Sequence, residues 1–241
     1  MIACVNHDKN AIMSHSENHP DCMHFIEDIR TINLSPIVDR VEELRKIDPN
    51  CRIAVWASLE CTNFSRAKCG AKDPDSRTLA EHLPRYLDVI DPDFLWVENV
   101  QEFKMWGPLD EYGKPIKGRL GEDYDIWVAM LTSKYFGSRY YEDKLKSADY
   151  SGRTIRERLF LQFSKATSEI GIPVQTHCKK GEKGKPWLPV KDVLDLNNHG
   201  NSIFTRKKKL VPKTHGVILK GLLKFGPHSG IHFGYTYYGN N

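Results

Sequence analysis

Ile53-Ala54-Val55-Trp56-Ala57, followed by Leu59-Glu60-Cys61-Thr62-Asn63-Phe64-Ser65-Arg66-Ala67, is the stretch on which the reading of the fold turns. The first five residues are an unbroken apolar run, the pattern of a strand buried on both faces of a parallel sheet. Cys61 stands just past its carboxyl end, where open α/β sheets place their ligands. A second apolar run, Phe94-Leu95-Trp96-Val97, ends in Glu98-Asn99-Val100. A later segment, Thr154-Ile155-Arg156-Glu157-Arg158-Leu159-Phe160, carries two arginines. A thiol, a carboxyl and a guanidinium at strand ends can converge on one small polar substrate.

Outward from these runs, strands and helices alternate. Ile2-Ala3-Cys4-Val5 reads as a strand that turns at Asn6-His7-Asp8, with Asp8 as N-cap of a helix through His15. His24-Phe25-Ile26 predicts a short strand ending at Glu27-Asp28, and Ser35-Pro36 opens a helix with Ile37, Val41, Leu44 and Ile47 at helical spacing. A helix is expected over residues 77–90, limited or kinked by Pro84. Residues 103–121, rich in Gly, Pro and charge, read as a mobile loop. A helix over 124–136 ends at Gly137, and short strands are expected at 140–141 and 159–163. The alternation predicts an α/β fold, doubly wound around a mostly parallel, Rossmann-like sheet.

The chain has 241 residues, 40% hydrophobic and 27% charged, enough for one buried core plus an appendage. No apolar run approaches the ~20 residues of a membrane helix, so no membrane partner is expected. The six cysteines follow no disulfide-scaffold spacing, and the amino terminus lacks a signal-peptide pattern. A reducing, cytoplasmic setting is therefore expected. The net charge of +4 is unevenly spread, because residues 176–241 hold 12 Lys+Arg against 3 Asp+Glu. That basic quarter suits a polyanion such as DNA, although lysine-rich surfaces are also common as mere solvated faces. The composition shifts at 178–179, so residues 1–178 read as one domain. Residues 179–241 read as a basic linker, 179–186, leading into a second region with few periodic segments.

The motif set resembles that of the DNA cytosine-5 methyltransferases, in a wording frequent in bacteriophage genomes. The family's Pro-Cys-Gln-x-Phe-Ser reads here as Glu60-Cys61-Thr62-Asn63-Phe64-Ser65. Its Glu-Asn-Val is intact at Glu98-Asn99-Val100, and its Gln-x-Arg-x-Arg reads Thr154-Ile155-Arg156-Glu157-Arg158. Asp73-Pro74-Asp75-Ser76-Arg77 is similar to the family's Asp-Ser-Arg segment. The resemblance runs from about residue 3 to the end of the chain. It implies a Rossmann-like methyltransferase sheet, S-adenosylmethionine as cofactor, double-stranded DNA as partner and a nucleoid-associated setting in a bacterial or phage-infected cell, with residues 1–178 a partial catalytic domain and 179–241 the linker and the start of a target-recognition region. Cys61 is then the nucleophile, Glu98 the acid that contacts the base, and Arg158 the holder of the base oxygen, with Arg156 nearby for phosphate or structural contacts. His7, Asp8, Asp28 and Ile29 fall at the cofactor positions, His7 where the family has an acid for the ribose. Ser65, Arg66 and Lys68 fall beside the extruded base. Arg206, Lys207, Lys208 and Lys209 form the densest basic cluster for DNA.

The family's glycine-rich Phe-x-Gly-x-Gly turn and its first strand have no counterpart before Met1, and its last motifs have none near Asn241. The sequence therefore reads as an enzyme truncated at both ends, inactive by itself, with a complementary chain carrying the missing motifs as an expected partner. A catalytically dead DNA-binding fragment is the alternative. A metal module is a further rival, since His15, His19, Cys22 and His24 lie close together. No C-x-x-C pair accompanies them, so solvated histidines at a helix end are the reading favoured and no metal is expected.

Overall fold

The structure is a computed structural model. It describes residues 1–60, 79–137, 140–165, 170–171, 173–179, 181–193, 195, 207, 209 and 211–225. The chain divides into two compact units, Met1–Pro189 and Val190–Asn241.

In the first unit, strand β1 (Ala3–Asn6) pairs in parallel with β2 (Met23–Ile26). Helix α1 (Lys9–Asn18) makes the crossover between them, capped by Asp8, whose carboxylate accepts the Asn10 N–H at 2.8 Å. Helix α2 (Ser35–Ile47) then leads to β3 (Ala54–Ser58). The expected Pro36 sits in its first turn, and Asn33 accepts the Ser35 N–H at 3.0 Å. Helices lie on both faces of this part of the sheet. His24 faces His15 of α1, while its neighbour Phe25 packs with Ile37 and Val41 of α2.

β3 pairs in parallel with β4 (Phe94–Asn99), bringing Ser58 opposite Glu98. β6 (Glu157–Ser164) runs antiparallel to β4 and to β5 (Tyr140–Lys146), giving the order β3-β4-β6-β5. The β5–β6 hairpin thus inserts one reversed strand into an otherwise parallel arrangement. The α/β, mostly parallel fold expected from the sequence is the one observed. β1–β2 and β3-β4-β6-β5 are separate ladders. Nevertheless, Val5, Phe25 and Val55 pack into one apolar cluster with α2 and α3 (Leu83–Ile90).

The alternating burial of β4 and β6 sets up two faces. Leu95, Val97, Leu159, Leu161 and Phe163 point into the main core against α3 and α4 (Glu122–Leu131), where Trp127 and Leu131 are buried. The opposite face carries Trp56, Phe94, Trp96 and Phe160, which line a groove of about 490 Å³. Trp56 is 58% exposed there, so β3 is buried on one face only, at Ala57, and not on both as its apolar run implied.

Several expectations need correction. The helix expected over 77–90 breaks at its proline: Leu79–His82 is a tight 3-10 turn, and α3 starts at Leu83 with Pro84 in its first turn. Proline has no N–H to give to a preceding carbonyl, so the first turn tolerates it and the interior does not. The 124–136 helix becomes a wider π turn at Thr132–Phe136 before Gly137 (φ 58°). There Thr132 and Ser133 hydroxyls donate to the carbonyls four residues back, competing with the helical ladder.

Residues 103–121 are not a free loop. A 3-10 turn at Gln101–Met105 buries Phe103 and Trp106, whose rings stack at 5.7 Å beside Tyr124 and Trp127. Gly107 completes this turn, because a Cβ there would lie 2.3 Å from the Arg119 carbonyl oxygen. The expected linker is partly ordered: β8 (Lys185–Pro186) at its end pairs with β7 (His177–Cys178) just before it, across positive-φ Gly181 and Gly184. In the second unit α5 (Pro212–Phe225) supplies a helix not expected from the sequence. Among the described residues, no helix is long and apolar enough to cross a membrane.

Candidate active site at the carboxyl ends of the strands

Glu98 is the next-to-last residue of β4, and Arg158 is the second residue of β6. Because the two strands are antiparallel, the end of one meets the start of the other. The Arg158 Nε lies 3.0 Å from Glu98 Oε1. Both side chains are about one-fifth exposed, at 22% and 21%, so the pair is sheltered yet reachable. The Arg158 guanidinium also donates to the Glu157 carbonyl at 2.7 Å, which fixes its direction. By strand alternation Glu98 and Arg158 share the face of Trp96 and Phe160.

Asn99 points the other way and is 2% exposed. Its Oδ1 accepts the Val100 N–H at 2.8 Å, while its Nδ2 has no partner among the described residues. A buried amide left half satisfied is uncommon, because desolvating a polar group without a partner is costly. In the sequence Asn99 is only one letter of a motif, and burial alone singles it out.

Arg156 stands just before β6 with an exposed side chain; its carbonyl accepts the Ser147 N–H at 3.0 Å. Cys61, Ser65, Arg66 and Lys68 lie outside the described residues, but β3 delivers the chain to Ser58 beside Glu98, three positions ahead of Cys61. Lys207 and Lys209 are exposed in the second unit, whereas Arg206 and Lys208 are outside the described residues.

The cofactor candidates gather at the ends of β1 and β2. His7 and Asp8 are exposed just beyond β1. Asp28, two residues past β2, accepts the Arg30 N–H at 2.8 Å and an ion pair from its guanidinium at 2.5 Å. These bonds, with the nearby His7, hold the Asp28 carboxyl down at about 2. The Ile29 carbonyl accepts from Arg85 at 2.9 Å and from the Tyr86 hydroxyl at 2.7 Å, so the turn after β2 is fastened to α3. No local pattern announces that anchor, which joins residues far apart in the chain.

A second polar cluster surrounds Glu142 of β5, which accepts from Lys104, Tyr124 and Tyr140. Burial works against the ionised carboxyl, yet these donors bring it below its ordinary range. Burial and the bond to Glu142 push both tyrosine hydroxyls up. All four groups satisfy one another, which makes this a fastening between β5 and α4.

No family model matches the chain, and no curated protein matches its sequence. In structure it is similar to a DNA modification methyltransferase encoded within an E. coli prophage, with a TM-score of 0.49 and 22% identity over 84% of this chain and 49% of that one. It is similar to DNMT2 of Spodoptera frugiperda at a TM-score of 0.45 and 15% identity, over 70% and 44% of the two chains. The Entamoeba histolytica methyltransferase EhMeth gives a TM-score of 0.41 and 14% identity, over 75% and 48%. The chain spans about half the length of these structures.

Proposed function

We propose that this chain carries the base-handling part of a methyl-transfer site acting on carbon 5 of cytosine in double-stranded DNA, with S-adenosylmethionine as donor. The observation that carries the reading is the 3.0 Å pairing of Arg158 with Glu98 at adjoining strand ends, beside the strand that leads into Cys61. Along one edge cytosine presents an amine, a ring nitrogen and a carbonyl oxygen. A carboxyl adjoining a guanidinium is complementary to that edge, with Glu98 toward the amine and ring nitrogen and Arg158 toward the oxygen. Such a base must leave the duplex stack to be reached.

Carbon 5 of the intact ring is a poor nucleophile. After losing its proton, the Cys61 thiolate adds to carbon 6, and the displaced electron pair moves toward the ring nitrogen held by Glu98. Carbon 5 then has enamine character and can accept a methyl group. Loss of the carbon 5 proton and expulsion of Cys61 restore the aromatic ring. Glu98 acts here by holding or giving a proton at the ring nitrogen, and Arg158 by fixing the carbonyl oxygen.

S-adenosylmethionine supplies an electrophilic methyl carbon when bound. The residues present fit its nucleoside portion: His7 and Asp8 beyond β1 suit ribose hydroxyls, and Asp28 beyond β2 suits the adenine amine. Asp28 is already bonded to Arg30, so Arg30 must turn aside for that contact to form. The separate β1–β2 and β3–β4 ladders support one more part of the reading. A strand and glycine-rich turn from outside the 241 residues, on the same polypeptide or a complementary one, would join the two ladders and finish the cofactor pocket.

The test is covalent trapping on duplex DNA containing 5-fluorocytosine, in the presence of cofactor and a polypeptide carrying the strand and glycine-rich turn. A DNA adduct that disappears in Cys61→Ser supports the reading. Adduct formation that persists in Cys61→Ser and vanishes in Cys69→Ser transfers the nucleophile to Cys69. DNA binding without any adduct, with the partner supplied, supports the non-catalytic alternative instead.

A further inference from the structure

We propose that His15, Cys22 and His24 form a binding site for a single tetrahedral transition-metal ion, with zinc the fitting choice. The three residues come from successive pieces of one crossover. His15 lies in the last turn of α1, Cys22 immediately precedes β2, and His24 is the second residue of β2. Their ligand atoms, one from each residue, all lie within 4.8 Å of one another. The His15 Nδ1 and His24 Nε2 face each other at 2.8 Å.

That arrangement is not what solvated histidines would adopt. Free imidazoles would each turn toward water, whereas these two are part-buried and hydrogen-bonded to each other, beside a buried thiol that donates to the Met23 carbonyl at 3.4 Å. The connecting turn holds them there: the His19 N–H donates to the His15 carbonyl at 2.9 Å, and the Cys22 N–H to the His19 carbonyl at 3.1 Å. The His15 ring is further backed by His19, with ring centroids 4.5 Å apart.

Two imidazole nitrogens and one thiolate are a borderline-soft donor set, suited to zinc rather than to calcium or magnesium, which take oxygen ligands. Bonds of ~2.0–2.1 Å to nitrogen and ~2.3 Å to sulfur require nitrogens roughly 3.3 Å apart in a tetrahedron. The two rings need to part by about 0.5 Å, and the thiol, within 4.8 Å of them, to close toward the roughly 3.5 Å nitrogen–sulfur separation of a tetrahedron, for an ion to enter. Binding exchanges the Cys22 thiol proton for the metal, and water takes the fourth position.

The site lies at the amino end of β2, whereas Asp28 lies past its carboxyl end. Its role is therefore structural: it clamps the end of α1 to the start of β2, adding to the burial of Ile12 on α1. The inference stands independently of the methyl-transfer reading.

The test uses the untagged 241-residue chain. Expected results are one equivalent of Zn²⁺ retained through gel filtration and a melting temperature that rises with Zn²⁺ concentration. The Co²⁺-loaded chain should show intense visible bands of a tetrahedral centre together with a near-ultraviolet sulfur-to-cobalt charge-transfer band. Zn²⁺ should bleach both. Cys22→Ser should abolish the charge-transfer band, His24→Ala should reduce retained metal to a small fraction of an equivalent, and Cys178→Ser should alter neither. A Co²⁺ spectrum of the hydrated ion for the unaltered chain overturns the proposal, even if the variants fail to fold. Stoichiometric Zn²⁺ retained by a folded Cys22→Ser/His24→Ala double variant also overturns it.

Discussion

Arg158 on β6 and Glu98 on β4 meet at 3.0 Å, although 60 positions of sequence numbering separate them. The antiparallel pairing of the two strands makes the contact. Replacing Glu98 by Gln keeps the shape of the side chain but removes its charge and its capacity to hold a proton at the base. In an assay of the proposed methyl transfer, with a polypeptide carrying a joining strand and turn supplied, turnover should fall by ~100- to 10,000-fold while cofactor affinity stays nearly unchanged. Steady-state rates and cofactor titration of the variant measure both, and near-normal turnover would remove Glu98 from the chemistry.

Asn99 should matter to stability as well. Asn99→Ala leaves the buried Val100 N–H without its acceptor, a cost of about 1–3 kcal/mol. Urea unfolding should show the midpoint drop with an unchanged slope. A midpoint equal to that of the parent chain would mean that water takes over the acceptor's place.

Stability should decline in acid for a stated reason. Burial opposes ionisation of Asp93, but the Ile53 N–H at 2.9 Å and Arg52 at 2.8 Å outweigh it and hold its carboxyl below the ordinary range. Asp28 is held lower still, at about 2, chiefly by Arg30. Both folded values lie below the unfolded one of ~3.9. Their contribution is therefore complete above that pH and is lost as pH falls through each folded value. NMR titration should find Asp28 ionised down to about 2, and Arg30→Ala should move it back up. An Asp28 that titrates in the ordinary range in the parent chain would contradict the pairing.

The basic cluster Arg206, Lys207, Lys208 and Lys209 should account for much of the chain's DNA affinity. Neutralising all four should flatten the plot of log affinity against log salt by ~0.9 for each phosphate that the cluster no longer neutralises. Fluorescence anisotropy on a labelled duplex across a salt series measures the slope, and an unchanged slope would return these residues to a merely solvated surface.

The 241 residues alone should bind S-adenosylmethionine weakly and transfer no methyl group. The second edges of β1 and β3 have no strand partner among the described residues, so the cofactor lacks the turn that a joining strand would bring. Calorimetric titration of the chain alone, followed by methyl-transfer assays with and without a polypeptide carrying that strand and turn, checks this. Tight stoichiometric binding and sustained turnover by the chain alone would refute it.

What the sequence determined by itself is local. The apolar runs at 53–57 and 94–97, the Asp8 cap and the Pro36 start follow from side-chain periodicity and backbone chemistry within a few residues, and each appears where expected. The positions of Glu98 and Arg158 at strand ends were legible for the same reason, since each stands where an apolar run stops or starts. Tertiary structure decided what depends on residues distant in the chain. Phe103 and Trp106 turned an apparent loop into core, because burying two aromatic rings outweighs the freedom that Gly and Pro give the backbone. The reversed β6 and the approach of Arg158 to Glu98 arose likewise from sheet pairing, and the anchoring of Ile29 by Arg85 and Tyr86 from the packing of α3 against the turn after β2. His15, Cys22 and His24 stand between the two cases. Their spacing was visible in the sequence, but only the return of β2 alongside α1 turned the spacing into a common point, because ligand geometry is a property of distances in space.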